Sequence, residues 1–234
     1  MVTFLINIAV IGTVVFCAWR GYKNGLIRGV FGVVSLIVAL FIANFAAQAY
    51  SEDAKSILMP FVSGLLESTI VDMAEEGVEY QALAHDHEIT DADFGTAYTA
   101  LRQIGLPEAA AVQIAEQSLH IDESEEGRSF ADIIALRLSS TISYVAVFGI
   151  AFLLIAIVFA VIGNLVGFVF SLPGLKIVDM IAGAALGLAK GLIIVFTVGV
   201  IIRYFGVMIF PTLENAAFLR YVVNNNPIAN MLGV

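Results

Sequence analysis

Charged residues are scarce in this chain. They account for 13% of its 234 residues, whereas hydrophobic residues account for 60%; soluble domains have about 25% and about 45–50%. The mean hydropathy is +0.95. A soluble protein of this size could not bury so much apolar surface in one core. The composition therefore excludes a soluble globular protein for most of the chain, and the lipid bilayer is the expected partner.

Cysteine is almost absent, because Cys17 stands alone in an apolar stretch. This excludes a disulfide framework and a thiolate metal site. Lysine and arginine form no run, so nucleic acid is not an expected partner. The GxSxG motif, the phosphate loop and the dinucleotide fingerprint are missing as well. We therefore predict a protein that is not an enzyme and needs no cofactor.

Two polar clusters invite a metal interpretation: His85-Asp86-His87-Glu88 and the carboxylates within 122–126. In the first cluster the ligands are adjacent and lack the i, i+4 spacing of a helical pair. The second cluster lacks the order of a calcium loop. Solvated polar loops explain both clusters, and we predict no metal site.

Acidic and basic residues are segregated along the chain. Residues 51–140 carry 18 Asp and Glu against four basic residues, a balance of −14. The remainder carries seven basic residues against two acidic ones, a balance of +5. Membrane topology explains such segregation, whereas a uniform globule does not.

Four segments with few or no charges are long enough to cross a hydrocarbon core, which needs about 20 residues. They lie at residues 3–19, 29–51, about 142–168 and within 180–210. Arg20, Lys23 and Arg28 follow the first segment, so the positive-inside rule places that turn in the cytoplasm. We therefore predict a signal anchor with its N-terminus outside, and residues 51–140 lie outside as well.

The predicted fold class is all-α: a polytopic integral membrane protein whose four transmembrane helices form two parallel-repeat hairpins. The predicted domains are a first hairpin at 1–50, an acidic helical extracytoplasmic insert at 51–140, a second hairpin at 141–210 and a short C-terminal extracytoplasmic segment at 211–234. Apolar spacing in the insert predicts an amphipathic helix at 57–71 and further helices at about 91–104 and 108–119. We expect residues 129–138 to continue into the third span and 211–234 to form short interfacial helices.

An internal repeat is the most specific feature of the sequence. GYKNGLIRGV at 21–30 and GAALGLAKGL at 183–192 share the pattern G-x-x-x-G-L-x-[R/K]-G, with Arg28 opposite Lys190. Glycine at every fourth position exposes backbone along one helix face and permits close helix packing. The predicted helix-packing residues are Gly21, Gly25, Gly29, Gly183, Gly187 and Gly191, with Gly163 and Gly167 as a further pair in the third span.

Arg28, Asp179 and Lys190 are the candidate functional charges. Two interpretations of Lys190 stay open: its ammonium reaches the headgroups or a lipid phosphate, or it lines a translocation path. Arg203 is expected to reach the headgroups in the same way. Asn7 and Asn44 lie at similar depth, and they either bond to each other across the first hairpin or face water.

The stretches RGYKNGLIRGVFGVVSLIVALFIA (20–43) and LPGLKIVDMIAGAALGLAKGLIIVF (172–196) resemble the two signature regions of the CvpA, or colicin V production protein, family. The matching positions are Arg20, Gly21, Gly25, Arg28, Gly29, Pro173, Gly174, Asp179, Gly183, Gly187, Lys190 and Gly191. The resemblance covers residues 1–50 and 140–205 and leaves the insert outside. It implies a bacterial cytoplasmic-membrane protein linked to production or export of a peptide toxin and to envelope homeostasis. It transfers no catalytic residue.

Three functions are compatible with these observations. The first is a non-enzymatic membrane factor that assists secretion or maintains the envelope through helix packing and a partner. The second is a small transporter or channel that forms by oligomerisation, with Lys190 facing a pore. The third is a scaffold whose acidic cap binds a cationic partner outside. Besides lipid, a further copy of the chain and another membrane protein are thus the alternative partners.

Overall fold

The computed structural model describes residues 2–75, 93–120, 128–166, 176–209 and 216–234. Within these ranges all regular secondary structure is helical. The helices are α1 Val2–Glu75, α2 Phe94–Gln103, α3 Glu108–Ser118, α4 Phe130–Val166, α5 Lys176–Ile209, α6 Ala217–Asn224 and α7 Pro227–Leu232. The predicted all-α class is therefore confirmed.

Helix α1 is broken at Gly25, whose φ of 75° and ψ of −179° are not helical. Glycine suits this position, because a residue with a Cβ atom is strained at such a positive φ. The break divides α1 into a first arm, residues 2–24, and a second arm, residues 26–75.

The two arms run in opposite directions along α5. The close contacts are Cys17 with Gly187, Gly21 with Gly183, Gly29 with Leu186 and Gly32 with Lys190. As residue numbers increase along the first arm, the numbers of the contacting α5 residues decrease, and along the second arm they increase. The first arm is antiparallel to α5 and the second arm is parallel to it, so the two arms form a helical hairpin.

Helix α4 packs antiparallel against the second arm. The Tyr144 hydroxyl donates a hydrogen bond to Oδ1 of Asn44 at 2.6 Å, and nearer the Gly25 turn Phe31 lies against Gly163. Four long helical segments, namely the two arms, α4 and α5, thus lie side by side.

Among the described residues, three helices are long and apolar enough to cross a membrane, over Phe4–Thr69, Phe130–Gly163 and Ile177–Phe205. The first of these includes the break at Gly25 and therefore holds both arms. Large apolar side chains point away from the protein along all three; Phe45, for example, is 74% exposed. An apolar surface of this extent is not tolerated in water. Lipid is the solvent that suits it.

The predicted insert is continuous with the long helices. The second arm runs past residue 50 and through Pro60 to its end. Helix α4 begins at Phe130, which confirms that residues 129–138 lead directly into the third apolar segment. The Ser129 hydroxyl accepts a hydrogen bond from the backbone N–H of Asp132 at 3.1 Å, as a helix-capping serine does. Helices thus cross both of the domain boundaries expected at 50 and 140.

Two of the helices expected within the insert are confirmed as α2 and α3. The amphipathic helix expected at 57–71 belongs to the second arm, and its apolar face is only partly covered. Val62 and Leu66 are buried, whereas Phe61 is exposed and Ile57 is 77% exposed.

One hydrophobic core joins the insert to the long helices. Its buried members include Val62 and Leu66 of the second arm, Leu101 of α2, Ile114 of α3, Phe148 of α4 and Tyr204 of α5. The described residues of the insert therefore share their core with the long helices. The shared core lies at the end of the bundle opposite to Gly25.

Arg203 is buried in this shared structure. Only 3% of it is exposed, and its Nη2 donates hydrogen bonds to the Ala109 carbonyl at 2.7 Å and to Oε1 of Gln113 at 3.1 Å. The expectation that Arg203 reaches the headgroups is therefore wrong. A charged side chain in an apolar setting needs polar partners, and α3 supplies them.

Residues 216–234 form two short helices, α6 and α7, which confirms the short helices expected in this segment, and both pack against α5. The side chain of Asn226 caps α7 by accepting hydrogen bonds from the N–H groups of Ile228 and Ala229. Its Nδ2 donates to the carbonyl of Phe196 in α5 at 2.8 Å. This one buried amide therefore starts α7 and also fixes it to α5.

Asn7 and Asn44 each bond to a helix outside the first hairpin. Oδ1 of Asn7 accepts from the N–H of Phe218 in α6 at 3.2 Å, and Oδ1 of Asn44 accepts from Tyr144 in α4. The structure shows neither of the two expected arrangements, because both amides join the hairpin to other helices.

Candidate functional site

The two copies of the repeat lie directly against each other. A methyl group added to Gly21 would lie 2.8 Å from Cα of Gly187, and one added to Gly183 would lie 2.9 Å from Cα of Gly25. Real Cβ atoms do not approach backbone so closely. The first arm and α5 are therefore in backbone-to-backbone contact, along what we term the glycine seam: Gly21, Gly25, Gly183, Gly187 and Gly191.

The seam ends at Gly191, where an added methyl group would lie 3.0 Å from Cα of Val14. The other predicted glycines pack against side chains. Gly29 of the second arm lies against Leu186 of α5, and Gly163 of α4 lies against Phe31 of the second arm. Gly167 lies outside the described residues.

Asp179 lies at the hairpin turn. Its Oδ1 accepts a hydrogen bond from the backbone N–H of Leu26 at 2.8 Å. Leu26 is the first residue of the second arm, where backbone N–H groups have no partner inside the helix and the helix dipole favours a negative charge. A side chain at Gly25 would collide with this carboxylate. The absence of a side chain at Gly25 thus lets α5 cap the second arm.

Beside the turn, three cations line one cavity of about 500 Å³. Arg20 comes from the first arm, Arg28 from the second arm and Lys190 from α5. Asn24 and Ser35 add polar groups, and the remaining lining residues are Phe31, Gly32, Leu36, Ala156, Phe159, Ala160 and Gly163. This basic cavity could hold an anion.

The wider turn region is also basic. Nζ of Lys23 lies 3.9 Å from the centre of the Trp19 ring, a cation–π contact on the first arm outside the cavity. Asp179 is the acidic residue of the first turn of α5, and it is bonded to Leu26. The structure therefore brings the three candidate charges to one end of the bundle: Asp179 at the turn, and Arg28 and Lys190 in the cavity.

The sequence prediction missed Arg20, Asn24 and Ser35 as members of this site. A signal was present, since Arg20 and Asn24 are spaced i, i+4, and Arg28 and Ser35 are spaced i, i+7, which places each pair on one helix face. Two other expectations lie outside the described residues, namely the polar loops at 85–88 and 122–126.

The arrangement of the described residues defines an all-helical membrane protein with a glycine seam and a basic cavity. The family model described as colicin V production protein matches residues 113–227. This match supports a protein of the CvpA family. Comparison with curated proteins and with solved structures gives no match.

The match differs in extent from the expected resemblance. It includes the second signature stretch, 172–196, and it does not include the first, 20–43. It begins in α3, so the last part of the insert belongs to the matched region, contrary to the expectation that the whole insert lies outside. Arg203 and its partner Gln113 both fall within the match.

We predict that Gly187→Ala lowers the stability of the protein, whereas Gly12→Ala does not. The new methyl group at 187 would collide with the Cys17 carbonyl, whereas Gly12 has no atom within 4 Å of the added Cβ. Both substitutions gain helix propensity of up to about 1 kcal/mol, and overpacking at the seam costs about 1–3 kcal/mol. Thermal unfolding of the purified protein in detergent measures the difference. Equal melting temperatures for the two variants would contradict close packing at the seam.

We predict that Asp179→Ala lowers the free energy of unfolding by about 0.5–2 kcal/mol, the usual loss for a removed N-cap. The reason is that the N–H of Leu26 loses its acceptor. Asp179→Asn keeps an oxygen in place and should retain most of the stability. Chemical unfolding in detergent compares the three proteins. If both variants lose the same amount, the charge of Asp179 matters rather than its hydrogen bond.

Proposed function

We propose that this protein is a non-enzymatic factor of the bacterial cytoplasmic membrane that assists production or export of a peptide toxin and helps to maintain the envelope. The observation that carries the proposal is the match of residues 113–227 to the colicin V production family. The geometry agrees with a role based on packing and binding, because Asp179 and Arg203 are engaged in bonds between helices.

In the proposed topology four segments cross the bilayer: the first arm, the second arm, α4 and α5. The second arm has 50 residues and would be roughly 75 Å long at 1.5 Å per residue, against a hydrocarbon core of about 30 Å. More than half of it therefore extends beyond the hydrocarbon core, and the shared core with α2 and α3 lies at that end.

The charges support one orientation. Arg20, Lys23, Arg28 and Lys190 lie at the end of the bundle that holds the Gly25 turn, and the positive-inside rule places such an end in the cytoplasm. The N-terminus, the insert and the C-terminal helices then lie outside.

Cysteine labelling tests this topology. In a Cys17→Ser background, we introduce Glu116→Cys on α3 or Lys23→Cys beside the turn, both at exposed positions. A membrane-impermeant maleimide should label position 116 in intact spheroplasts and position 23 only after lysis. Labelling of both positions from outside would contradict the arrangement of crossings, and the reverse pattern would invert it.

The role in toxin production is tested by complementation. We express the full chain in a bacterium that lacks its own family member and carries a colicin V system, and we measure the secreted toxin as a growth-inhibition zone. The chain and its Gly12→Ala variant should restore secretion, and Gly187→Ala should restore less. Equal zones with and without the chain, while the chain is present in the membrane fraction, would contradict the proposed function.

A further inference from the structure

Three separate segments bring the cations of the basic cavity together. Lys190 reaches from α5 to the second arm, where its Nζ lies 3.5 Å from the position that a Cβ atom on Gly32 would take. Gly32 is one helical turn after Arg28, so the two cations lie on neighbouring turns of one wall. Arg20 faces the same space from the first arm. Convergence of this kind depends on the hairpin and the glycine seam, and no single helix could provide it.

The described lining of the cavity contains no carboxylate. Asp179 is close by, but its Oδ1 accepts from Leu26 in the turn. The positive charges of Arg20 and Lys190 converge in a partly apolar setting and repel each other, because the low dielectric weakens the screening. A bound anion relieves this repulsion.

The size and the walls of the cavity indicate which anion fits. Guanidinium and ammonium groups are the side chains that bind phosphate oxygens in proteins, and Asn24 and Ser35 add hydrogen-bonding groups. A volume of about 500 Å³ is within the range of sites for small organic ligands and exceeds the needs of a bare ion. Ala156, Ala160 and Gly163 of α4 are small lining residues that leave room in the cavity, and Phe159 adds an apolar surface.

We propose that the basic cavity binds a phosphate group, carried by an anionic phospholipid or by a soluble phosphate. Arg20, Arg28 and Lys190 contact the phosphate oxygens, and the apolar wall of α4 contacts the glycerol and first acyl carbons when the source is a lipid. Basic pockets between membrane helices are known to take anionic headgroups on the cytoplasmic side. The inference rests on the membrane placement proposed above and not on the role in toxin production.

The test uses the full chain, purified in a neutral detergent and titrated with phosphatidylglycerol, phosphatidylcholine or inorganic phosphate, with binding followed by native mass spectrometry. Phosphatidylglycerol should bind at one site at least about tenfold more tightly than phosphatidylcholine. Lys190→Gln and Arg20→Gln should each weaken this binding by about tenfold, as expected for the loss of one charge-assisted hydrogen bond. Lys190→Arg should stay close to the unmodified chain.

Lys23→Gln is the matched control, because it removes a cation from the same end of the molecule but outside the cavity. The affinity of Lys23→Gln for phosphatidylglycerol should stay within about twofold of that of the unmodified chain, a smaller change than the loss of one charge-assisted hydrogen bond causes. An elution volume and helical circular dichroism like those of the unmodified chain show that each variant is folded. If neither Gln variant folds, the salt dependence of the unmodified chain still tests the proposal, since binding must weaken as ammonium acetate rises from about 0.05 to about 0.5 M.

The ligands distinguish the source. Binding of inorganic phosphate that displaces phosphatidylglycerol supports a soluble phosphate, whereas binding of the lipid alone supports a headgroup. Equal affinity for the two lipids, equal losses in Lys23→Gln and Lys190→Gln, or binding that salt leaves unchanged would overturn the proposal. None of these measurements involves the toxin, so their failure leaves the proposed function intact, and a failed complementation leaves the phosphate site intact.

Discussion

The backbone contact between the first arm and α5 is the constraint on which the rest of the structure depends. Inside a bilayer, apolar side chains gain little by leaving lipid for one another, so helices associate through close packing and polar contacts. At Gly21 and Gly187 the two helices have no side chain between them. This proximity brings Asp179 to the start of the second arm and Lys190 to Gly32. A wider spacing would separate the turn from its cap and open the cavity.

The two copies of the repeat perform different tasks in the same contact. In the first copy the central glycine, Gly25, has a positive φ and breaks the helix, whereas its counterpart Gly187 lies within the continuous α5. The same pattern therefore provides a turn on one side of the seam and a straight backbone surface on the other. The cations that follow, Arg28 and Lys190, consequently converge on one cavity from two directions.

Features that depend on local composition could be predicted from the sequence, and features that depend on distant partners could not. Apolar length indicates the long helices, and glycine spacing indicates close packing, because lipid and helix geometry act on each segment separately. The charges predict a turn between the first two segments, but the local pattern does not place the break at Gly25, since it is the same as the pattern around Gly187. A distinguishing partner is Asp179, which is distant along the chain.

The prediction that Arg203 reaches the headgroups was wrong for the same reason, because its partners are distant along the chain. Near the end of an apolar segment, an arginine that reaches water and an arginine that bonds to another helix have the same sequence pattern. In the structure Arg203 bonds to the carbonyl of Ala109. The position of this carbonyl depends on how α3 packs, which the local sequence around Arg203 does not show. The basic cavity likewise depends on three segments, so its spacing signals identify helix faces but not the space between them.

The change in charge near residue 50 does not interrupt the helix, because a change in charge is not a change in backbone structure. Glu52, Asp53 and Lys55 begin the polar region, yet the helix continues through them, with Lys55 and Glu52 paired at 3.2 Å on the helix surface. Helical hydrogen bonds satisfy the backbone in lipid and in water alike, so a helix can pass from one solvent to the other without a break. The second arm therefore extends from the basic cavity at Arg28 to the shared core at Val62 and Leu66. The described part of the insert is thus joined to the long helices by two continuous helices and by the hydrogen bonds of Arg203.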